Sequence, residues 1–264
     1  MSQALLTTKL RTPRTRPDLV ARPRLREALA VGEGPRLTLV SAPAGFGKTT
    51  LLTEWTEAHA TGDRGVVWVS LDETDNDPAR FLTYLVGSLR SVEEGVGEGL
   101  LASLRSPQPP PVEAVVGALI NELADLLQEI TIVLDDYHLI DSLPVHEAVS
   151  FLIEHVPDNV RFVIASRTDP PLPLARLRAR DQMTEIGAAE LRFTTEEATA
   201  FLGDAMGLTL SAADAAALEE VTEGWVAALQ LAALSMRDRE DVSGFVEAFS
   251  GSNRHVLDYL ARRS

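Results

Sequence analysis

One loop restricts the fold more than anything else in the chain. The apolar run Leu37–Ser41 passes directly into Ala42-Pro-Ala-Gly-Phe-Gly-Lys-Thr-Thr50, which opens a helix-length segment near 47–60. Gly47, Lys48 and Thr49 match the end of the phosphate-loop pattern Gly-x4-Gly-Lys-[Ser/Thr], with Ala42 standing at the first glycine. Glycines let amide groups curl around phosphate oxygens, and the start of a helix adds positive potential there. In that reading Ala42, Pro43, Ala44, Gly45, Phe46 and Gly47 form the cradle. Lys48 reaches the β- and γ-phosphates, the Thr49 hydroxyl holds Mg²⁺, and Thr50 meets the α-phosphate. Ala42 must then avoid positive φ, which costs a residue with a Cβ about 1–2 kcal/mol. The other reading is a Gly-Lys-Thr turn that arose by chance.

The surrounding pattern favours the first. Short runs rich in Val, Ile and Leu recur at Leu37–Ser41, Val66–Leu71, Ile130–Leu134 and Phe162–Ala165. Uniformly apolar runs are strands buried on both faces. Helix-length segments lie between them, near 47–60, 78–91, 112–128 and 143–155. This alternation predicts an open α/β parallel sheet with helices on both faces. Asp77-Pro78 reads as the N-cap and first residue of one helix. The Gly- and Pro-rich stretch Val92–Pro111 is either a domain boundary or, as we prefer, a surface connection within the sheet domain.

After about residue 190 the strands stop. Thr194 and Glu197 have capping-box spacing ahead of Ala198, Phe201, Leu202 and Ala205 on one helical face. Ser211 starts another helix with Leu218 and Val221 inward. Trp225–Met236 is apolar nearly all round and predicts a buried helix, and His255–Arg262 predicts a last one. The expected division is a P-loop nucleotide-binding domain over 1–190, then a small all-helical domain over 191–250.

Two further features sit at strand ends. Ile130-Thr-Ile-Val-Leu-Asp135-Asp136 is an apolar strand closing on two acids, the Walker B layout. Asp135 would hold Mg²⁺ through water and Asp136 would polarise the attacking water; the alternative is two strand-end carboxylates that cap the next helix. Arg167 follows the strand Phe162–Ala165, where strand C-termini converge on a ligand crevice. There it would stabilise the γ-phosphate, unless it forms an ordinary surface ion pair. The catalytic candidates are thus Lys48, Asp136 and Arg167, and the metal candidates Thr49 and Asp135.

Composition removes other chemistries. The chain has no cysteine, hence no disulfide, thiolate metal site or cysteine nucleophile. Its charge of −15 opposes free-standing nucleic-acid binding, although residues 1–36 carry 8 basic and 3 acidic side chains. Gly224–Met236, 13 residues without charge, is too short to span a bilayer. The Arg- and Thr-rich start loosely suggests an organellar transit peptide, but Pro13 and Pro17 interrupt any amphipathic helix. A cytoplasmic protein without membrane contact is the expectation.

The sequence resembles the ATPase module of the MalT-like, large LuxR-type transcription activators, within the STAND class of signalling ATPases. The matching stretches are TKLRTP (8–13), LVARPRL (19–25), LVSAPAGFGKTTLL (39–52), WVSLDETDNDPARFLTYL (68–85), IVLDDYHLI (132–140), FVIASRTDPPLPLARLRAR (162–180), LRFTTEEATAFL (191–202), TEGWVAALQLAAL (222–234) and FSGSNRHVLDYL (249–260). Ala42 is itself typical of that family's loop. The resemblance implies that residues 1–36 form an adenine-side segment, with Val20 and Arg22 at the adenine pocket, and that Arg167 is a sensor arginine. Gly224-Trp225-Val226 aligns with a Gly-x-Pro motif that touches base and ribose; Val226 replaces the proline, and a buried core aromatic is the equal alternative for Trp225. Arg176, Arg178 and Arg180 read as an inter-domain or inter-subunit contact or, equally, as a solvated helix face. Residues 251–264 resemble the start of a winged-helix domain, and DNA would be read only by a C-terminal domain outside this chain.

The resulting expectation is an ATP-binding, slowly hydrolysing regulatory module. ADP and Mg-ATP would set its resting and self-associating forms, with weak turnover of ATP and water to ADP and phosphate. The alternatives are a P-loop enzyme (a phosphotransferase or mechanical ATPase) and an interaction module that needs no nucleotide.

Overall fold

The computed structural model describes residues 5–15, 19–29, 35–59, 64–237, 244 and 246. In chain order its regular elements are α1 (Pro23–Ala28), β1 (Leu37–Ser41), α2 (Lys48–His59), β2 (Arg64–Ser70), α3 (Pro78–Leu89), α4 (Glu98–Leu104), α5 (Val112–Ala124), β3 (Glu129–Asp135), α6 (Leu143–His155), β4 (Val160–Ser166), α7 (Leu174–Ala179), β5 (Met183–Ile186), α8 (Ala188–Leu191), α9 (Thr195–Ala200), α10 (Ala212–Thr222) and α11 (Val226–Met236). They fall into two compact units. One comprises Met1–Arg14, Leu29–Ser41 and Leu52–Ile186; the other comprises Thr15–Ala28, Ala42–Leu51 and Gly187–Ser264.

The first unit is built on a five-stranded sheet ordered β2-β3-β4-β1-β5, with every pair parallel. Register explains the packing. Val67, Ile132, Phe162 and Leu37 lie level across four strands, as do Val69, Leu134, Ile164 and Leu39. Both rows join one cluster with Phe81, Leu85 and Leu89 of α3, Leu119 of α5 and Val149 and Leu152 of α6. The alternate residues Val40, Trp68, Val133 and Val163 are buried as well. Consecutive burial means that both faces of the sheet are covered, which is why these strands lack the polar alternation of a one-sided sheet.

The four expected strands are present, each within two residues of the sequence reading at either end. β5 was not foreseen. It is a four-residue edge strand with an exposed Glu185, so it has no continuous apolar run to find. Val92–Pro111 lies inside the sheet unit, as preferred, but is not wholly a surface connection: it contains α4, whose Leu100 and Leu101 are buried in the sheet core. The helix expected to reach 128 ends at Ala124.

In the second unit α9, α10 and α11 pack around Phe193, Ala198, Leu202, Leu218, Leu229 and Ala233. Ala215 of α10 and Ala228, Ala232 and Ala233 of α11 are buried. Thr194 and Glu197 form the reciprocal cap expected of them, and the Ser211 side chain caps α10. α11 is not apolar on a fully buried surface: Leu231 and Leu234 are 40% and 46% exposed. Arg22 ties α1 into this unit. Its guanidinium donates to the carbonyls of Leu191 (2.8 Å) and Arg192 (2.9 Å), pairs with Glu197 and lies over the Phe193 ring. No helix among the described residues is long and apolar enough to cross a membrane. The helix expected at His255–Arg262 lies outside the described residues, as does all of 251–264.

Candidate functional site

The loop leaves the C-terminal end of β1 and opens α2. Gly45 and Gly47 both have φ of +78°, a conformation that costs nothing without a Cβ. Ala42 is not among the residues with positive φ, so its methyl group carries no backbone strain; it is buried. Lys48 is 8% exposed, and its ammonium turns back and donates to the carbonyls of Ala42 (2.7 Å) and Pro43 (3.0 Å). Thr49 is half-buried and Thr50 exposed on the first turn of α2.

The loop's outer side meets the start of α11, within the same unit. Trp225 donates its indole N–H to Ala44 O at 3.1 Å, and the Ala227 amide donates to Gly45 O at 3.1 Å. The Phe46 and Trp225 rings stack with centroids 6.2 Å apart. A Cβ on Gly45 would lie 2.6 Å from that of Ala227, so this glycine is needed for closeness as well as for φ. Trp225 is half-buried and does not belong to the helical core cluster, which removes the core-aromatic reading. Gly224, with φ of +66°, abuts the Phe193 backbone.

In the sheet unit, parallel strands bring Ser41, Ser70, Asp135 and Ser166 to one edge; Ser70 is level with Asp135, and Ser41 with Ser166. β4 stands between β1, which precedes the loop, and β3, which carries the acids. Asp135 is 2% exposed and accepts the Asp136 amide at 3.0 Å. Asp136 is left-handed, with φ of 57°, and half-exposed. Such a conformation is uncommon for a residue with a Cβ, although aspartate tolerates it better than most. The next residue explains how it is held. Tyr137 is fully buried and its hydroxyl meets His146 Nδ1 at 3.0 Å. Burial pushes the Tyr137 hydroxyl pKa up and the His146 pKa down, the nearby Asp141 only partly offsetting the latter. Arg167 is exposed and makes no ion pair with another described residue.

The acidic segment 72–77 braces this edge. Asp72 caps a short 3-10 turn and Asp75 completes the reciprocal cap. Both carboxylates take the Lys9 ammonium, which also lies 4.4 Å over the Tyr84 ring. Asn76 Oδ1 accepts the amides of Asp141 (2.8 Å) and Ser142 (2.9 Å), and its Nδ2 donates to Leu139 O, so it fixes the turn that follows Asp136. Asp77 accepts from the Arg80 amide with Pro78 behind it, the cap expected from sequence. Asn76 gave no motif signal, because its role depends on a turn 63 residues away. Arg176, exposed, pairs with the half-buried Glu154, and Arg178 pairs with Glu185 and Asp169, these three all exposed.

Val20 packs on the helical cluster, and Arg22 is engaged with carbonyls and Glu197 as described above. Among the described residues no three His, Asp or Glu side chains form a metal cluster.

Residues 22–164 match the family model of the AAA ATPase domain. The chain belongs to the AAA ATPase family. This AAA ATPase is 39% identical over 258 residues to the HTH-type transcriptional regulator MalT of Serratia proteamaculans, which covers 97% of the chain and 28% of that relative. It is 36% identical over 254 residues to the serine/threonine-protein kinase PknK of Mycobacterium tuberculosis, covering 96% of the chain and 23% of the kinase. The chain thus spans about a quarter of the length of these relatives. Its resemblance to the N-terminal module of MalT-like regulators holds over nearly its whole length. Among solved structures it is similar to a STAND protein with a tetratricopeptide-repeat sensor from Pyrococcus horikoshii (TM-score 0.57, 16% identity, 90% of this chain and 33% of that one). It is also similar to a Walker-type ATPase of Pyrococcus abyssi (TM-score 0.54, 16% identity, 96% and 79%). At these identities the likeness is one of fold.

Proposed function

We propose that this AAA ATPase module binds ATP and ADP with Mg²⁺ through the 42–50 loop and uses slow hydrolysis to control self-association. The observation that carries the reading is the loop itself. Two glycines at positive φ turn it, a lysine is folded onto its carbonyls, and a helix begins at its end. A phosphate chain would draw the Lys48 ammonium from two neutral carbonyls to a charged partner, a stronger hydrogen bond. Thr49 and Asp135 are the proposed metal ligands, with phosphate oxygens and water completing the shell, in keeping with Mg²⁺ sites that rely on few protein groups. Asp136 is the proposed orienter of the attacking water and Arg167 the proposed partner of the γ-phosphate. Arg22 has its guanidinium engaged with protein, so any contact that Val20 and Arg22 make with adenine falls to their backbone and to the Val20 side chain.

The regulatory part rests on likeness. The relatives named above include a transcriptional regulator and a serine/threonine-protein kinase, and one structural neighbour is a STAND protein. A nucleotide shifts such a module between two forms only if the forms differ in affinity for it. In this proposal ADP favours a resting form and ATP a self-associating one, with DNA contacted by another part of a whole regulator. The test is retention of Mg-ATP by the Lys48→Ala variant. Loss of binding is expected; wild-type affinity in that variant overturns the assignment.

A further inference from the structure

We propose that Trp225 is a positioning residue for the phosphate loop, its indole N–H fixing the peptide planes that turn the loop's amides toward phosphate. The proposal rests on the ATP-binding reading above. A trans peptide is planar, so its C=O and the following N–H point in opposite directions. The Ala44 carbonyl is held by Trp225 Nε1 and the Gly45 carbonyl by the Ala227 amide, both at 3.1 Å. The amides of Gly45 and Phe46 are therefore aimed away from α11. Neither has an acceptor among the described residues.

Glycine makes that orientation easy to lose. Gly45 populates either sign of φ at little cost, so an unrestrained plane could rotate and present a carbonyl oxygen to an anion. Two hydrogen bonds from one helix start remove that freedom. The Phe46 ring stacked on Trp225 and the missing Cβ of Gly45 keep the two segments in contact. The family resemblance would give the Gly224-Trp225-Val226 segment to base and ribose. The geometry instead assigns the Trp225 donor to the loop that reads phosphate.

The two roles separate experimentally, because inorganic tripolyphosphate has neither base nor ribose. Trp225→Phe keeps a ring and removes the donor. Titration calorimetry of the 264-residue chain with Mg-ATP and with magnesium tripolyphosphate should show both weakened by a similar factor, about three- to tenfold for one lost hydrogen bond. Loss of ATP affinity with tripolyphosphate unchanged makes Trp225 a base contact and overturns the proposal; unchanged affinity for both overturns it as well. Lys48→Ala, measured alongside, should lose both ligands. A wild type that binds neither ligand overturns the functional reading, and with it this one. Should Trp225→Phe fail to fold by its thermal melt, Phe46→Leu loosens the same contact from the loop side. That variant should weaken both ligands in parallel, and selective loss of ATP would again count against the proposal.

Discussion

The ammonium of Lys9 rests on the carboxylate of Asp75, 66 residues away, and Asp75 has no exposure to solvent. Arg80 Nε lies 3.6 Å from its other oxygen. This pair fastens the start of the chain to the turn ahead of α3. Removing one partner of a buried pair costs about 3–5 kcal/mol, here toward the lower end because Lys9 keeps the partly exposed Asp72. Asp75→Ala should lower urea stability by that order, and replacing both partners with apolar residues (Lys9→Met with Asp75→Leu) should recover much of it. If Asp75→Ala leaves the unfolding midpoint where it was, the anchor is decorative.

Acid should loosen the fold at two separate carboxylates. At Asp72 burial opposes ionisation, but hydrogen bonds from Thr74 and Lys9 outweigh it and hold the pKa at about 2. At Glu197 burial likewise opposes, and Arg24, Arg22 and the Thr194 amide outweigh it and lower the pKa. A depressed folded-state pKa stabilises above the ordinary carboxylate range and is lost as pH falls through the folded value. Melting temperature should therefore fall as pH drops from about 5 toward 2. Glu197→Gln should flatten part of that slope, and a profile identical to wild type would exclude Glu197 as a source.

Two glycines should fail for different reasons. Around Gly47 a Cβ meets nothing within 4 Å, so Gly47→Ala is limited to the strain of its φ of +78°, about 1–2 kcal/mol. Its main effect should be on ATP binding. A Cβ on Gly224 would lie 2.4 Å from Phe193 O, a backbone atom, and would also disturb the Phe193 N–Gly224 O hydrogen bond. Gly224→Ala should destabilise more than Gly47→Ala in thermal unfolding; the opposite ranking contradicts the packing described.

Asp136→Asn tests the proposed water-orienting role with little backbone penalty, because asparagine also tolerates the left-handed conformation. Binding of Mg-ATP should persist while phosphate release falls by at least tenfold. Full turnover in this variant excludes Asp136 from the chemistry.

Much of the sheet was legible because strands buried on both faces write themselves as runs of Val, Ile and Leu. β5 was not, since an edge strand half open to water needs no such run. α4 escaped because Gly95, Gly97 and Gly99 dominate its approach while only Leu100 and Leu101 report its burial. The loop 42–50 was legible because its chemistry demands a fixed order of residues. The Trp225 contact was not, because an indole N–H can serve any carbonyl and its partner, Ala44, lies 181 residues away. The 72–77 segment shows the middle case. Its Asp77-Pro78 cap is local and could be read, whereas Lys9 and the 139–142 turn become its partners only on folding.

The scarcity of lysine has a practical consequence. The chain has two lysines against 22 arginines, and both are buried, Lys9 on its carboxylates and Lys48 on the loop carbonyls. Guanidinium groups do not react with the usual acylating reagents, so the folded protein offers them almost no side-chain amine. Slow acylation of Lys48 then becomes a clock for opening of the loop, read by mass spectrometry against a nearly silent background.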